Sequence, residues 1–435
     1  MYNFTPANLE FVILSFEGPD QPYSQAGGLG VRVTNLTEAM AQKGFTTHLF
    51  FLGDPDLPNY EERVDGNLKL NRWCQWQSRY HRGGVYENEN WKVLDYQESI
   101  PWHVTEFVVR PAIAAGKRVA VIAEDWQTAD ALNRLSDSLH FHGLRGECIL
   151  MWNANNDMSF DRINWGRVQY TAQITAVSRY VKHQIRALGY DALVIPNGIS
   201  AKHLEPPSAS DVLSLKDAVS ADIFFFKIGR MDPDKGWLES ADAVAELKRR
   251  DIRAKLVFKG GLRELHRDEF LGHAERLGLR VDQVHLDSSS ISDMAGSLGE
   301  VEADADVIDI RTFIPDDALP ALYAAADGTL ANSLYEPFGI VGLEAMAAGG
   351  VAYVGSTGED YAISGQNSAV LDTGSGEEIA SIAVALRNAP DWSAAIRRKG
   401  RELAALFTWD NSIEIMLKKL PLMAIRQGLE PRNAG

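Results

Sequence analysis

Two glutamates eight positions apart stand in one continuous motif in the second half of the chain. The motif is the run Tyr335-Glu336-Pro337-Phe338-Gly339-Ile340-Val341-Gly342-Leu343-Glu344. It predicts a strand over 328–332, a tight loop, and a helix that begins near Phe338 and ends at Gly349-Gly350. Unpaired N–H groups and the positive end of a helix dipole suit a diphosphate or sugar hydroxyls. The two carboxylates therefore predict binding of two polyol groups.

A second motif carries two cations directly after a predicted strand. It is the run Lys227-Ile228-Gly229-Arg230-Met231-Asp232-Pro233-Asp234-Lys235-Gly236. Its glycines allow a tight loop, Arg230 offers a planar fork of donors, and Lys235 offers a compact charge, a pair suited to a diphosphate. Such cations would stabilise the charge that builds on a departing nucleoside diphosphate. Solvated loop charges are the alternative interpretation of this motif taken alone.

A third motif is a glycine-rich loop between the first predicted strand and a helix predicted over 31–43. It is the run Ser24-Gln25-Ala26-Gly27-Gly28-Leu29-Gly30. Gly27 and Gly28 would let the backbone approach a ligand closely at a helix N-terminus.

Residues 73–102 combine aromatic rings with cations and imidazoles. The aromatic residues are Trp73, Trp76, Tyr80, Tyr86, Trp91, Tyr96 and Trp102, and Arg72, Arg79, His81 and Arg82 lie among them. Aromatic faces cover the apolar face of a sugar while Arg and His bind its hydroxyls. We predict an acceptor wall here, formed by Trp76, Arg79, His81 and Trp91. An aromatic hairpin packed on the first sheet explains the same residues equally well.

In order and spacing these motifs resemble the retaining GT-B glycosyltransferases of family 4 and their glycogen-synthase relatives, over nearly the whole chain. Glu336 and Glu344 fit the E-x7-E motif of that family, and the cation loop resembles its G-R-x-x-x-x-K-G loop. The glycine-rich loop resembles the Gly-Gly-Leu loop of the glycogen-synthase group, with Gln25 near the position of a Lys. Supporting matches are Ala123-Glu124-Asp125-Trp126, Thr175-Ala176-Val177-Ser178, Ile195-Pro196-Asn197-Gly198-Ile199 and Trp409.

The resemblance implies a role for each matched residue. Glu336 would contact the donor sugar and Glu344 the ribose of the nucleotide. The other implied donor-binding residues are Phe338, Gly339, Ile340, Gly229, Gly27 and Gly28, and Asp125 would bind the acceptor. The implied catalytic residues are Glu336, Arg230, Lys235 and Asn153. Asn153 follows a strand predicted over 148–152, where the family usually places a His facing the donor sugar. An amide donates and accepts hydrogen bonds but does not titrate near neutrality.

We predict no metal and no resident cofactor, with the nucleotide diphosphate sugar as co-substrate. Three Asp-x-Asp pairs fit a string that a different, metal-dependent transferase fold uses for manganese: Asp54/Asp56, Asp232/Asp234 and Asp304/Asp306. Three matches in one acidic chain show how little this string specifies. The ten histidines show no metal-ligand spacing.

Short β-rich runs alternate with helical patterns along the whole chain, which predicts an α/β fold with parallel sheets. Strands are predicted over 10–16, 47–52, 118–123, 148–152, 173–177 and 193–196, and the pattern restarts with 223–228, 255–259, 307–313, 328–332 and 351–354. The turn Asn197-Gly198 and a Pro- and Ser-rich run over 205–210 mark a boundary near residue 200. We predict the GT-B fold, with two Rossmann-like domains facing across a cleft. The domains are predicted over 1–200 and 201–408, and a helical segment over 409–435 crosses back to the first.

Composition restricts the class of protein. A chain of 435 residues with 45% hydrophobic residues is long enough for two domains. It has no apolar run near the roughly 20 residues that span a bilayer. The formal net charge of −16 would repel nucleic acid and anionic lipids. The two cysteines and the absence of signal-peptide features predict a cytoplasmic location without integral membrane association.

The predicted function is retaining transfer of a hexose from a nucleotide diphosphate sugar to a sugar or small polar acceptor. The frequency of donors in the family favours UDP-glucose. Two alternatives stay open: a nucleotide-sugar epimerase of the same fold, and a non-catalytic scaffold subunit that binds a nucleotide sugar. The sequence specifies neither the base, the sugar, the acceptor and linkage, nor the oligomeric state.

Overall fold

The chain forms two compact units in a computed structural model that describes residues 3–24, 27–261, 264–286, 290–315 and 318–431. One unit consists of Met1–Gly198 together with Trp409–Gly435, and the other of Ile199–Thr408. Gln25 and Ala26 of the predicted glycine-rich loop lie outside the described residues.

The first unit is built on a sheet of eight described strands. The strands are β1 (Leu9–Leu14), β2 (Thr47–Leu52), β3 (Tyr60–Arg63), β4 (Leu68–Trp73), β5 (Arg118–Glu124), β6 (Cys148–Ala154), β7 (Gln173–Ala176) and β8 (Leu193–Val194). Their order is β3-β4-β2-β1-β5-β6-β7-β8, and every pair is parallel except β3 with β4. The helices are α1 (Gln21–Ser24), α2 (Gly28–Gln42), α3 (Gln75–Ser78), α4 (Glu89–Val104), α5 (Arg110–Ala114), α6 (Asp125–Phe141), α7 (Trp165–Thr171) and α8 (Arg179–Ala187).

The second unit is built on a sheet of seven described strands, all in parallel pairs. The strands are β9 (Ile223–Gly229), β10 (Ala254–Gly260), β11 (Val281–Val284), β12 (Val307–Ile310), β13 (Gly328–Ala331), β14 (Ala352–Val354) and β15 (Ala369–Val370), in the order β11-β12-β10-β9-β13-β14-β15. The helices are α9 (Ala209–Val219), α10 (Trp237–Arg249), α11 (Glu264–Arg276), α12 (Ile291–Gly299), α13 (Leu319–Ala325), α14 (Ile340–Ala347), α15 (Gly376–Asn388) and α16 (Pro390–Ala404). Two such sheets with alternating helices confirm the predicted α/β fold with two Rossmann-like domains.

The last helix, α17 (Trp409–Arg426), packs on the first unit. Its buried residues recur at helical spacing: Trp409, Ile413, Met416, Leu420 and Met423. They join one hydrophobic core with residues of β1, β2 and α2. A stripe of this period is the face that a helix buries against a sheet, so the C-terminal segment is an integral part of the first unit.

Several element boundaries differ from the predictions, for local reasons. The predicted strand over 148–152 extends to Ala154, so that Asn153 lies inside β6. The helix predicted from Phe338 begins at Ile340 because Gly339 adopts a left-handed conformation with φ +81°. The sequence analysis missed β4, because Leu68 and Leu70 alternate there with Lys69 and Asn71 instead of forming a continuous apolar run.

No helix in the described part of the chain is both long and apolar enough to cross a membrane.

Candidate functional site

The loop after β9 is held in shape by a buried lysine. Lys227, at 3% exposure, donates from Nζ to the Lys235 carbonyl (2.7 Å), the Leu330 carbonyl (3.1 Å) and Asn332 Oδ1 (2.5 Å). Burial lowers the pKa of this ammonium to about 7. The sequence analysis gave Lys227 no role. The structure shows that it joins the cation loop to the segment after β13.

Gly236 brings the cation loop and the segment after β13 together. This residue has φ +65°, and a Cβ there would meet the Asn332 carbonyl oxygen at 2.3 Å. A residue other than glycine would therefore be strained and would push the loops apart. The close approach lets the Asn332 amide donate to the Gly236 carbonyl at 2.9 Å.

Lys235 and Glu336, which the sequence predicted as catalytic residues, form an ion pair. Lys235 Nζ lies 3.0 Å from Glu336 Oε2 and 3.4 Å from Asp234 Oδ2. Ser333 Oγ also donates to Glu336 Oε2, at 3.1 Å. The side chains of Lys235 and Glu336 are 18% and 24% exposed, so solvent and a ligand can reach both groups.

Arg230, the other predicted cation, points outward. Its side chain is 57% exposed and its Nε lies 3.3 Å from Asp232 Oδ2. The backbone beneath it is fixed, because Trp237 Nε1 donates to the Arg230 carbonyl at 2.9 Å. Gly229, predicted to line the donor site, precedes it at the end of β9 and has open space where a Cβ would lie. An exposed guanidinium on a fixed backbone can turn toward an anion at low cost.

The N-terminus of α14 follows Glu336 directly. Gly339 is the N-cap, no side chain caps its N–H groups, and Ile340 is the first helical residue. Phe338 is buried at 2% exposure and packs against Tyr361 and Phe407, with ring centroids 5.8 Å and 6.2 Å apart. The Phe338 ring therefore anchors the loop, and the Gly339 carbonyl accepts from the Tyr361 hydroxyl. The predicted donor contacts would then be made by the backbone N–H groups of Phe338, Gly339 and Ile340.

Glu344 lies on α14, away from the ion pair of Glu336. The hydroxyl of Tyr323 donates to its Oε2 at 3.2 Å, and His203 Nδ1 lies 4.0 Å from its Oε1. The Glu344 side chain is 18% exposed. The two glutamates thus keep separate partners, as two separate polyol contacts would require.

A third carboxylate of this region, Glu359, was not predicted. It is 7% exposed, its Oε2 accepts from the Thr357 N–H at 3.1 Å, and its Oε1 is buried without a hydrogen-bond partner among the described residues. A Cβ on Gly339 would meet Glu359 Cγ at 2.9 Å. Burial raises the pKa of Glu359 to about 7, and the charge of Glu336 acts in the same direction. The sequence feature that could have indicated Glu359 is the turn with Gly355 and Gly358 that directly precedes it after β14.

In the first unit, Asn153 lies in a row of polar side chains across three strands. The register pairs Glu124 with Asn153 and Asn153 with Thr175. Asn153 Nδ2 donates to Glu124 Oε2 at 2.8 Å, and Thr175 Oγ1 donates to Asn153 Oδ1 at 2.8 Å. Asn153 is 1% exposed. Both ends of the amide are thus bonded within the first unit, and its predicted contact with a donor sugar stays a prediction.

This row ends on a buried ion pair that the sequence analysis missed. Arg32 of α2 lies 3.2 Å from Glu124, with side-chain exposures of 4% and 0%. The guanidinium also donates to Asn197 Oδ1 and lies 5.8 Å from the Trp409 ring centroid. A signal was present, because Arg32 stands four positions before the buried Leu36 on the apolar side of α2. Arg32 therefore joins α2, the end of β5, the segment after β8 and α17.

The predicted glycine-rich loop opens α2 next to a carboxylate. Gly27 is the N-cap of α2 and Gly28 its first residue, and a Cβ on Gly28 would meet open space. However, Glu17 Oε2 accepts from the Gly30 N–H at 2.7 Å, and its Oε1 accepts from the Tyr86 hydroxyl. This buried carboxylate occupies part of the helix N-terminus that we expected to attract a ligand.

Asp125, predicted to bind the acceptor, is buried at 8% exposure. Its Oδ1 accepts from the Asn155 N–H at 2.8 Å, and its Oδ2 lies 3.3 Å from Asn156 Nδ2. Burial raises its pKa to about 7, and the charges of Glu124 and Glu17 act in the same direction. Asp125 thus fixes the chain after β6, and its predicted contact with an acceptor is untested.

The aromatic segment is not a hairpin: Trp73 ends β4, and four of the six remaining aromatic residues lie on α3 and α4. Trp76 and Trp91 are 61% and 64% exposed, while Tyr96 is fully buried. Trp76 Nε1 donates to Asp95 Oδ2 at 2.9 Å. His81 Nε2 lies 2.9 Å from the Asn88 side-chain nitrogen, and Arg79 is exposed. Trp76, Arg79, His81 and Trp91 remain the predicted acceptor wall, whereas the buried Tyr96 packs on the sheet and donates to the Phe50 carbonyl.

Each Asp-x-Asp pair includes a carboxylate that an arginine already binds. Asp56 pairs with Arg82 at 2.9 Å, Asp232 with Arg230 at 3.3 Å, and Asp304 with Arg280. Among the described residues no three His, Cys, Asp or Glu side chains are grouped so as to hold a metal ion.

The loops around Glu336 and α14 fall within a known domain. Residues 304–402 match the family model described as Glycosyl transferases group 1. This segment is similar to the glycosyltransferase domain that the family model describes. The match confirms the prediction of a transferase and covers Glu336, Glu344 and Glu359, whereas Arg230 and Lys235 lie before it.

Curated relatives are glycosyltransferases too. The chain is 26% identical, over 236 residues, to a GDP-mannose-dependent alpha-(1-6)-phosphatidylinositol dimannoside mannosyltransferase of Mycobacterium tuberculosis, across 54% of this chain. That alignment spans about half, 53%, of the relative. A D-inositol 3-phosphate glycosyltransferase of Nocardiopsis dassonvillei is 23% identical over 97% of this chain and 98% of its own length.

Among solved structures, sucrose-phosphate synthase from Thermosynechococcus elongatus is similar with a TM-score of 0.70. The two chains are 18% identical, and the superposition covers 96% of this chain and 100% of the other. This similarity supports the GT-B fold.

Proposed function

We propose that this glycosyltransferase transfers a hexose, with glucose as the expected sugar, from a nucleotide diphosphate sugar to a sugar or small polar acceptor, with retention and without a metal. The observation that carries the proposal is the pair of Lys235 and Glu336 at 3.0 Å beside the N-terminus of α14. It places a cation, a carboxylate and uncapped backbone N–H groups together in a glycosyltransferase domain.

In this proposal the cations bind the diphosphate. Lys235 is held by Glu336 and Asp234, while Arg230 is exposed on a fixed backbone. When the sugar–phosphate bond breaks, negative charge grows on the departing nucleoside diphosphate. Cations and helix N–H groups that are already in place stabilise that charge in the transition state. They take the place that a metal ion has in other transferases.

The two glutamates orient the donor. Glu336 would accept hydrogen bonds from hydroxyls of the transferred sugar, and Glu344 from those of the ribose. Their separate partners, Lys235 with Ser333 and Tyr323 with His203, keep both carboxylates at fixed positions. Two carboxylates held at fixed positions favour a donor whose sugar hydroxyls and ribose hydroxyls reach both of them at once.

The acceptor and the stereochemistry come from the family resemblance. Its members retain the anomeric configuration by front-side attack, in which the departing phosphate accepts the proton of the acceptor. We assign the acceptor to Asp125, Trp76, Arg79, His81 and Trp91 of the first unit. Asn153 remains the proposed neutral group toward the donor sugar, and the network around it fixes its orientation.

A donor panel tests the proposal. Wild-type protein is incubated with UDP-glucose, GDP-mannose and ADP-glucose, with and without EDTA, alone and with inositol phosphate, fructose 6-phosphate or glucose 6-phosphate. We expect release of one nucleoside diphosphate that depends on an acceptor and persists in EDTA, and an α-linked product by NMR. Loss of activity in EDTA that only manganese restores would contradict the metal-independent mechanism. Formation of an epimer without an acceptor would indicate the epimerase, and binding without turnover the scaffold.

A further inference from the structure

An open cavity of about 310 Å³ lies in the first unit, on the face of the sheet where β4 pairs with β2. Its lining includes His48, Lys69, Asn71, Trp73, His103 and Phe107. The volume is near the lower limit of ligand-binding pockets in proteins. None of these residues belongs to the candidate donor or acceptor site.

The polar residues in this cavity stand on a sheet face next to a helix. His48 pairs with Lys69 and Phe50 with Asn71 in the parallel register of β2 and β4. Successive side chains of a strand point to opposite faces, so Lys69, Asn71 and Trp73 share one face of β4. Leu68 and Leu70 on the other face are 1% exposed and belong to the core beneath α2. The face that carries the cavity thus bears polar groups where an apolar surface would normally be packed.

A rare helical turn forms the opposite wall. Pro101 lies inside α4 and has no N–H for a helical hydrogen bond. Thr105 Oγ1 donates to the Pro101 carbonyl at 2.7 Å, and a π-helical turn follows over Thr105–Val109. Such turns interrupt α-helices frequently at functional sites. This one presents Phe107 to solvent at 57% exposure beside Trp102 at 59%, with ring centroids 5.3 Å apart.

The rings form a continuous aromatic corner. His103 lies 4.8 Å from Trp73 and 4.8 Å from Phe107, measured between ring centroids. Burial lowers the pKa of His48 and of His103, which favours the neutral form of both imidazoles, and His48 Nε2 lies 3.6 Å from Glu10 Oε2. A neutral imidazole donates one hydrogen bond and accepts another, as a sugar hydroxyl does. Lys69 adds an ammonium donor beside them, and Asn71, whose Nδ2 donates to the Leu49 and Lys69 carbonyls, adds its amide oxygen as an acceptor.

We propose that this cavity is a second carbohydrate site, which binds one ring of an oligosaccharide by stacking on Phe107 and Trp73. Sugar hydroxyls would bond to His48, Asn71 and Lys69. The choice of a carbohydrate as the ligand rests on the proposed function, whereas the presence of the cavity is independent of that function. Asn153, the proposed contact of the donor sugar, lies on β6. Four strand spacings, or about 19 Å at ~4.8 Å per strand, separate β6 from β4. The site would therefore hold a remote part of a carbohydrate chain rather than the reacting sugar.

Calorimetric titration of the full chain with maltopentaose, cellopentaose and isomaltopentaose, in the absence of a donor, tests this site. We expect one of the three to bind and to change tryptophan fluorescence, because Trp73 lines the cavity. Phe107→Ala and Lys69→Met should each weaken that binding about fivefold, the loss of roughly one aromatic or charged contact. The matched control is Phe141→Ala, which removes a ring that is 87% exposed on α6.

The outcomes separate this proposal from the proposed function. Both cavity variants should retain wild-type nucleotide release with a small acceptor and a wild-type circular dichroism spectrum. If no oligosaccharide of the panel binds, or if both cavity variants bind like the wild type, the second site is refuted. If the wild type releases no nucleotide with any donor and acceptor, the proposed function is contradicted instead.

Discussion

Two polar clusters, one in each unit, contain charged groups of the same types and differ in burial. In the second unit, the side chains of Lys235 and Glu336 are 18% and 24% exposed and that of Arg230 is 57% exposed. In the first unit, the side chains of Arg32 and Glu124 are 4% and 0% exposed. The exposed cluster can exchange its partners for those of a ligand, whereas the buried cluster has its hydrogen bonds satisfied internally.

This difference in burial distinguishes the cluster that can act on a substrate from the cluster that stabilises the fold. A charged group acts on a substrate only when its contacts can be replaced, as the long contact of Arg230 with Asp232 can be. The Arg32 and Glu124 pair is closed to solvent and binds several elements of one unit together. We infer that changes in the second unit reduce activity and that changes in the first unit reduce stability.

The largest expected effect is on stability in the first unit. Arg32→Met leaves the Glu124 carboxylate buried without its cation, which costs about 3–5 kcal/mol in comparable buried pairs. Urea unfolding followed by circular dichroism measures the free energy of unfolding. Lys248→Met, which removes an exposed partner of Asp306, is the control and should change it by less than about 1 kcal/mol. Equal effects of the two substitutions would remove the distinction between the clusters.

The next effect is on turnover in the second unit. Lys235→Met, Arg230→Met and Glu336→Ala should each lower kcat/KM by about 10²–10³, or ~2.7–4 kcal/mol of transition-state stabilisation. Initial rates of nucleotide release over a series of donor concentrations, from below KM to saturation, measure this loss, with Lys248→Met again as control. Wild-type turnover in both cation variants would show that the diphosphate binds elsewhere.

A third effect is the pH dependence of stability. The pKa of Glu359 is raised from 4.5 to about 7, so the folded protein binds more protons there than the unfolded chain between these values. The free energy of unfolding should then fall as pH rises from about 4.5 to about 7, by roughly 3 kcal/mol from this group. Asp125 acts in the same direction.

Glu359→Gln keeps the shape of this side chain and removes its charge. The free energy of unfolding of this variant should therefore fall less steeply with pH than that of the wild type. The exposed Glu377→Gln is the matched control and should leave the slope unchanged. Thermal unfolding temperatures at pH 5, 6, 7 and 8 give the comparison. An unchanged slope in the Glu359→Gln protein would show that this carboxyl is ionised over the whole range.

The smallest effect concerns Asn153. Asn153→Ala removes one hydrogen bond from Glu124 Oε2 and one from Thr175 Oγ1, while each atom keeps another partner, so each lost bond should lower the free energy of unfolding by about 0.5–1.5 kcal/mol. If the amide also contacts the donor sugar, kcat falls as well, and Asn153→His introduces a pH inflection near ~6.5. Wild-type kcat in the folded Ala variant would limit Asn153 to a structural role.

The sequence was most informative where local pattern determines structure. The strand predicted over 47–52 coincides with β2, and both charged loops follow the predicted strands. The sequence analysis missed features that depend on contacts between residues far apart in the chain. Arg32 and Glu124 meet across 92 residues, and Glu359 packs closely against Gly339. No local pattern specifies such pairs, because they depend on how helices and strands pack.

Binding of a nucleoside diphosphate to the cation loop tests the central claim most directly. Isothermal titration calorimetry with UDP, GDP and ADP compares wild type, Lys235→Met and the Lys248→Met control. We predict that one nucleotide binds to the wild type and to the control with the same Kd, and that Lys235→Met weakens this binding about tenfold or more, or ~1.4 kcal/mol. Equal Kd values in all three proteins, or no binding of any nucleotide, would contradict the account.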